Sequence, residues 1–199
     1  MSNDGVNKGR RRFLTAATSV VGAAGAVGVA VPFVASWNPS AKAKAAGAPV
    51  KANLAKIEPG QMVVVEWRGK PVYVVRRTPE ILANLPKMND KLRDPEALEL
   101  QQPEYVKGIA RSIPGHEEFL ILLGLCTHLG CAPMFRPEVG AADLGGAEWL
   151  GGFFCPCHGS KFDLAGRVLK GVPAPLNLEV PPHKYETDTV VTIGVDQEA

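Results

Sequence analysis

Two short clusters of cysteine and histidine stand out in this chain of 199 residues, Cys126-Thr-His128-Leu-Gly-Cys131 and Cys155-Pro-Cys157-His158-Gly-Ser160. Thiolate and neutral imidazole are both good ligands for zinc and for iron, so one Cys and one His from each loop could converge as a Cys2His2 set. That arithmetic leaves Cys131 and Cys157 over. Outside the cytoplasm two spare thiols on adjacent loops oxidise to a disulfide, which would tie the loops together around the metal. Structural zinc could use the same four ligands but does not explain a second cysteine on each loop. A disulfide-only reading leaves both histidines without a role.

The elements that must position these loops begin with a membrane-length segment. From Phe13 to Trp37 run 25 residues without a charge, which as a helix exceed the hydrocarbon thickness of about 30 Å. Lys8, Arg10, Arg11 and Arg12 precede it, and Arg10-Arg11-Arg12-Phe13-Leu14 resembles the twin-arginine export signal. Positive charge keeps that end cytoplasmic. Ala41-Lys42-Ala43 and Ala43-Lys44-Ala45 have the small-x-small form that signal peptidases read, but the apolar stretch exceeds the about 7–15 residues of a cleaved signal. Retention as an anchor is therefore expected. The reading is a cytoplasmic n-region at 1–12, a transmembrane anchor at 13–37, a tether at 38–51 and a β domain at 52–199. The Ala- and Lys-rich tether could be flexible or partly helical.

Charge divides the same way. Residues 1–51 hold seven Lys/Arg and one acid, which leaves 15 basic and 19 acidic residues in the body. A body about four units negative offers no clustered positive face for a phosphate backbone, so nucleic acid is excluded as a partner. Within the body, Met62 to Trp67 and Val72 to Arg76 are β-branched runs around Arg68-Gly-Lys-Pro71, which predicts a hairpin. Residues 79–107, broken by Pro86, Pro95 and Pro103, predict one or two short helices in an insertion. Phe119 to Leu125 reads as a buried strand and Thr189 to Val195 as a closing strand, while 126–182 is rich in Gly and Pro. The sum is a small, mainly antiparallel β domain with loop excursions. His116 and His183 read as ordinary surface histidines, and Trp67 and Trp149 as packing residues.

The two clusters match the Rieske signature, and the exported part resembles the Rieske iron-sulfur subunit of bacterial ubiquinol-cytochrome c oxidoreductases. The resemblance covers the anchor, the tether, both loops and the later Gly171-Val-Pro173-Ala-Pro175 turn, which is similar to that family's proline loop. It implies a Rieske-type β domain with a small cluster-binding subdomain and one 2Fe-2S cluster. Cys126 and Cys155 would bind one iron, His128 and His158 the other, and Cys131 would pair with Cys157. The Ser160 hydroxyl would donate to a bridging sulfide. Phe162 stands where many relatives have a tyrosine that donates to a ligand sulfur, so one donor is missing.

The implied chemistry is respiratory electron transport within a proton-translocating oxidoreductase. His158, at the exposed tip, would bond the ubiquinol hydroxyl and accept its proton, while Leu129, Gly130, Gly171, Pro173 and Pro175 form an apolar docking surface. Implied partners are cytochrome b and c-type cytochrome subunits in a dimeric complex, ubiquinol and membrane lipid. The implied place is the bacterial inner membrane, single-pass, with the N-terminus cytoplasmic and the β domain periplasmic. The small subunit of an arsenite-oxidase-like molybdoenzyme is the alternative; a soluble Rieske ferredoxin is disfavoured by the export segment. The 23 residues between Cys131 and Cys155 form a longer loop than in many relatives, either touching a partner or lying on the surface.

Overall fold

A computed structural model describes Gly5, residues 7–99 and residues 101–197, in two compact units, Met1–Ala45 and Ala46–Ala199. Residues 1–4 and 6 of the expected n-region lie outside the described residues.

The first unit is dominated by helix α1, Lys8–Ser36. It starts five residues before the uncharged stretch because the Asn7 side chain caps it, accepting from the Arg10 N–H at 3.0 Å. Its 29 residues span about 43 Å, and all its residues are exposed. Thr15 and Thr18 turn their hydroxyls inward, donating to the carbonyls of Arg11 and Leu14 at 2.9 and 2.8 Å, which removes polar groups from the helix surface. A short helix α2, Ala41–Ala46, follows and takes up part of the expected tether. Its first turn is capped by Ser40, whose Oγ accepts from the Ala43 N–H at 3.1 Å.

The second unit opens with strand β1, Val50–Asn53, two residues inside the range read as tether. Strands β2, Met62–Trp67, and β3, Lys70–Arg76, form the expected hairpin, with a tighter turn than the sequence suggested. Only Arg68 and Gly69 connect them, at φ of 53° and 70°, the left-handed pair that matches the twist of flanking strands. Pro71 therefore sits inside β3, opposite Glu66. The insertion carries helix α3, Pro79–Asn84, and a 3₁₀ helix, Leu85–Lys91. Strand β4, Phe119–Leu123, completes the antiparallel sheet β2-β3-β4.

Strands β3 and β4 read as continuous apolar runs because both of their faces are covered. Val72, Val74, Phe119, Ile121 and Leu123 face one core cluster, shared with Trp67, Val191 and Ile193. Tyr73, Val75, Leu120 and Leu122 face the other, shared with Cys126, Phe153, Cys155 and Phe162. This second cluster joins the sheet to the two Cys/His loops.

Three further strands, β5 (Met134–Arg136), β6 (Gly152–Cys155) and β7 (Ser160–Asp163), form a small antiparallel sheet of their own. The sequence hid it among glycines and prolines, yet Gly152 is required there: a Cβ would lie 1.9 Å from the Phe162 carbonyl oxygen. Strands β8, His183–Thr187, and β9, Val190–Ile193, pair with β1 in the order β1-β9-β8.

His183 corrects its sequence reading. It is buried, and its ring Nδ1 lies 2.8 Å from the Pro181 carbonyl. His116 is half-buried and stacks on Tyr185, with centroids 3.7 Å apart. Trp67 and Trp149 do pack, both being buried.

Charged residues in the interior were not foreseen either. Arg77, Arg111 and Arg167 are almost wholly buried, with Asp163 as the buried carboxylate of the group. Burial pushes Arg77 and Arg111 down to about 10, so both stay charged at neutral pH. They are held by carbonyls: Arg111 alone donates to Ala165, Gly166, Gln101 and Leu178. Asp163 accepts from the Ala165 and Arg167 amides at 2.9 and 2.8 Å and pairs with the Arg167 guanidinium at 2.7 Å. Asp163→Ala is expected to destabilise the β domain by about 3–5 kcal/mol, since it strands a buried guanidinium. Chemical denaturation reads this, and a loss below about 1 kcal/mol would contradict it.

Candidate metal centre

Both metal-binding loops leave the end of a strand or connect two. The first follows β4 after Gly124, a position that must lack a side chain because a Cβ would lie 2.3 Å from the Tyr73 ring. It folds back tightly, with the Gly130 N–H on the Cys126 carbonyl and the Cys126 N–H on the Cys131 carbonyl, both at 2.8 Å. The second loop is the turn between β6 and β7, closed by the Gly159 N–H on the Cys155 carbonyl at 3.0 Å. The Cys155↔Ser160 pair at its base puts both residues in the buried floor.

The loops meet. Cys131 and Cys157 form a disulfide across them. Cys126 and Cys155 are free, and both are buried. The His128 and His158 rings stand nearly perpendicular with centroids 4.7 Å apart. The sulfurs of Cys131, Cys155 and Cys157 gather within 4.8 Å of one another, but two of them are spent in the disulfide, so the thiols left for a metal are Cys126 and Cys155. Burial, and then the neighbouring Cys126 thiol, push the Cys155 thiol above its ordinary range; N–H groups of Cys157 and His158 pull the other way. Two buried thiols beside each other are costly as bare thiolates, and a bound cation would offset that cost and draw off their protons. The His128 Nδ1 is buried without a hydrogen-bond partner, as expected of an atom reserved for a metal. The donor set fits a centre of two thiolates and two imidazoles.

Around this floor lie contacts that the sequence did not announce. Tyr73, from β3, donates its hydroxyl to the Pro133 carbonyl at 2.8 Å, which pins the first loop just beyond Cys131. Burial and then the charge of Cys155 raise its hydroxyl above the usual range. Thr127 donates to the Leu176 carbonyl at 2.6 Å. Ser160 Oγ accepts from the Ala174 N–H at 3.0 Å, so its own proton is left to donate elsewhere. Through these two bonds the Gly171–Pro175 turn is fastened to both loops. Its Gly171, Pro173 and Pro175 are exposed, as are Gly130, Leu129 (71%) and His158. Phe162 is fully buried, opposite Phe153 in the β6–β7 pair.

The 132–154 segment contributes β5 and most of β6, and its middle is tied down by its own contacts. Trp149 and Leu144 are buried, Trp149 donates to the Arg136 carbonyl at 3.3 Å, and Arg136 grips Asp143 through two bonds of 2.9 and 3.0 Å. Lys161 ties the Leu144 carbonyl at 2.7 Å.

A β domain whose paired Cys/His loops are cross-linked by a disulfide, in a chain that also carries a long apolar helix with an arginine-rich start, fits the class of membrane-anchored iron-sulfur proteins. Comparison with known proteins agrees. Residues 49–182 match the model of the Rieske [2Fe-2S] domain, and residues 1–40 match that of the ubiquinol-cytochrome c reductase Fe-S subunit TAT signal. The chain is 59% identical over 197 residues, 99% of its length and 94% of the relative's, to the ubiquinol-cytochrome c reductase iron-sulfur subunit of Allochromatium vinosum. It is 42% identical to that of Blastochloris viridis, covering 97% of each chain, and 41% to that of Bradyrhizobium diazoefficiens, covering 93% and 94%. The chain belongs to the Rieske family, among the iron-sulfur subunits of ubiquinol-cytochrome c reductase. It is an electron-transfer subunit of that oxidoreductase, with a Rieske 2Fe-2S cluster as its cofactor. The arsenite-oxidase-like alternative is not favoured.

Proposed function

We propose that Cys126 and Cys155 hold one iron and His128 and His158 the other, and that His158 is the contact for ubiquinol. The single observation that carries this is the pairing of two free buried cysteines with two packed imidazoles, one of which buries an unpartnered Nδ1. Bound there, the cluster supplies one-electron acceptance at a potential between about −150 and +300 mV, raised by its imidazole ligands. The chain's residues do the rest. His158, exposed at the tip, takes the quinol hydroxyl proton on the ring nitrogen left free of iron. Leu129, Gly130 and the Gly171–Pro175 turn present an apolar rim that excludes water from this contact. The partners are a cytochrome b subunit at the quinol site and a c-type cytochrome as electron acceptor, in a dimeric complex. Leu129→Glu is the test of the rim: quinol oxidation per cluster should fall at least about tenfold, as a buried charge at a docking centre demands. Turnover at the parent's rate would contradict the rim.

The same reading orients the chain in a bacterial inner membrane, with Arg10 and Arg11 cytoplasmic, α1 spanning the lipid and the β domain periplasmic. The protein is expected to stay with membranes after a carbonate wash and to keep its N-terminal region. Recovery of a soluble form beginning at Lys44 or Ala46 would contradict retention. Changing Arg10 and Arg11 together to Lys should leave folded, unexported protein in the cytoplasm.

Reduction adds negative charge to the centre, so a donor aimed at its sulfurs stabilises the reduced form and raises the potential. Ser160→Ala is expected to lower the midpoint by roughly 40 mV, the one-electron equivalent of a hydrogen bond of about 1 kcal/mol. Phe162→Tyr should raise it by the same order. Phe162 is fully buried, so a hydroxyl placed there stays inside the domain. A Tyr variant with the parent's potential would separate Phe162 from the ligand sulfurs.

A further inference from the structure

The turn that carries Gly171, Pro173 and Pro175 rises from a narrow neck. At that neck Asn177, 1% exposed, accepts the Val168 N–H on its Oδ1 at 2.8 Å, closing the two arms of the loop across each other. Its Nδ2 points the other way, into the insertion, and donates to the Asp94 carbonyl at 3.2 Å and to Asp94 Oδ2 at 3.4 Å. Asp94 in turn organises its own segment: Oδ1 accepts from the Leu98 N–H at 3.0 Å and Oδ2 from the Glu99 N–H at 3.2 Å. Neighbouring contacts run along the same seam. The Arg93 N–H meets the Val168 carbonyl at 3.0 Å, the Lys170 N–H meets the Lys91 carbonyl at 2.8 Å, and the Arg93 guanidinium reaches the carbonyls of Val172 and Pro175 at 3.3 and 3.4 Å.

These bonds give the insertion a job that its sequence does not state. On the inner side the turn is fastened to the metal-binding loops by Thr127 and Ser160. On the outer side the bonds to it among the described residues come from the insertion. We propose that Asp94 and Asn177 are positioning residues for ubiquinol oxidation, a latch that sets the height and tilt of the Gly171–Pro175 turn against its partner subunit. The inference rests on the docking role given to that turn above. A buried amide satisfied at both ends is a stiff joint, because leaving either end unmade strands a polar group in the interior. A docking rim displaced by an ångström loses much of its catalytic advantage even when the reacting centre is intact.

The test uses the assembled complex in membranes, with turnover expressed per EPR-detected cluster. Asn177→Asp keeps the shape and the acceptor for Val168 but turns the donor toward Asp94 into a second carboxylate oxygen. Quinol oxidation per cluster is expected to fall about tenfold, and the change in cluster line shape caused by a quinol-site inhibitor should shrink, while cluster content stays near the parent's. Adding Asp94→Asn, which removes the opposing charge, should recover at least half of the loss. If Asn177→Asp does not accumulate, Asp94→Ala reads the same joint from the half-buried segment and should show the same loss. Full turnover per cluster and a parental inhibitor response, with only the melting temperature lowered, would overturn the latch. So would a double variant no better than the single. Leu129→Glu separates the two layers of the argument. If it impairs turnover while Asn177→Asp and Asp94→Ala do not, the latch alone fails; if none of them does, the docking reading fails and takes the latch with it.

Discussion

Exchanging His128 or His158 for alanine is expected to abolish the Rieske EPR signal and, with it, quinol oxidation by the complex. The two rings meet edge to face at 4.7 Å with no other pair of imidazoles near the free thiols among the described residues, so neither has a substitute. The distinction from a structural zinc site is in the readout. Loss of a zinc ligand would unfold the loops but would leave no redox signal to lose, whereas a reduced 2Fe-2S centre would carry an unpaired electron whose signal is lost with its ligand. His128→Ala retaining the full signal would remove His128 from the ligand set, and its buried Nδ1 would need another explanation.

Breaking the cross-link should be nearly as severe. The disulfide closes a loop with a sequence separation of 26 residues, and the chain-entropy estimate for such a loop is about 3.5 kcal/mol. Replacing Cys131 and Cys157 together by serine releases the first loop from the second at the point where both free thiols must meet. The ties that remain include the Tyr73 bond to Pro133, the Thr127 bond to Leu176, the Ser160 bond to Ala174 and the β5–β6 pairing. The expected outcome is low cluster content, heat lability of the centre and a fall in turnover that tracks cluster content. A variant with full content and parental stability would show that the hydrogen bonds alone hold the loops.

The candidate ligands stood out in the sequence because ligand chemistry is local: a Cys-x-His, a Cys-x-x-His and two leftover cysteines, which the structure joins as a disulfide, mark the two loops by spacing. The long apolar helix was legible because absence of charge over 25 residues is itself the signal. Strands β2, β3 and β4 were visible as β-branched runs. The small sheet β5-β6-β7 was not, since strands of three or four residues interrupted by Gly152 give no period to read. Contacts over long separations were equally hidden. Nothing in the local sequence joins Tyr73 to Pro133, Asn177 to Asp94, or Arg167 to the Leu85 carbonyl at 2.8 Å. A buried arginine looks like a surface arginine until the carbonyls that satisfy it are known. His183 was misread as a surface histidine for a related reason: it opens β8 and lies under Tyr105, whose hydroxyl accepts its backbone N–H at 2.9 Å, a partner far away in sequence.

The His/Cys centre of this chain is expected to exchange electrons with quinol through the exposed His158. Electron paramagnetic resonance of reduced membranes carrying the chain, recorded with and without a quinol-site inhibitor, tests it most directly. The expected result is a Rieske-type 2Fe-2S signal whose line shape responds to the inhibitor and to the redox state of the quinone pool, and which disappears in His158→Ala. A signal of normal intensity that ignores both inhibitor and quinone, or one that survives in His158→Ala, would contradict it.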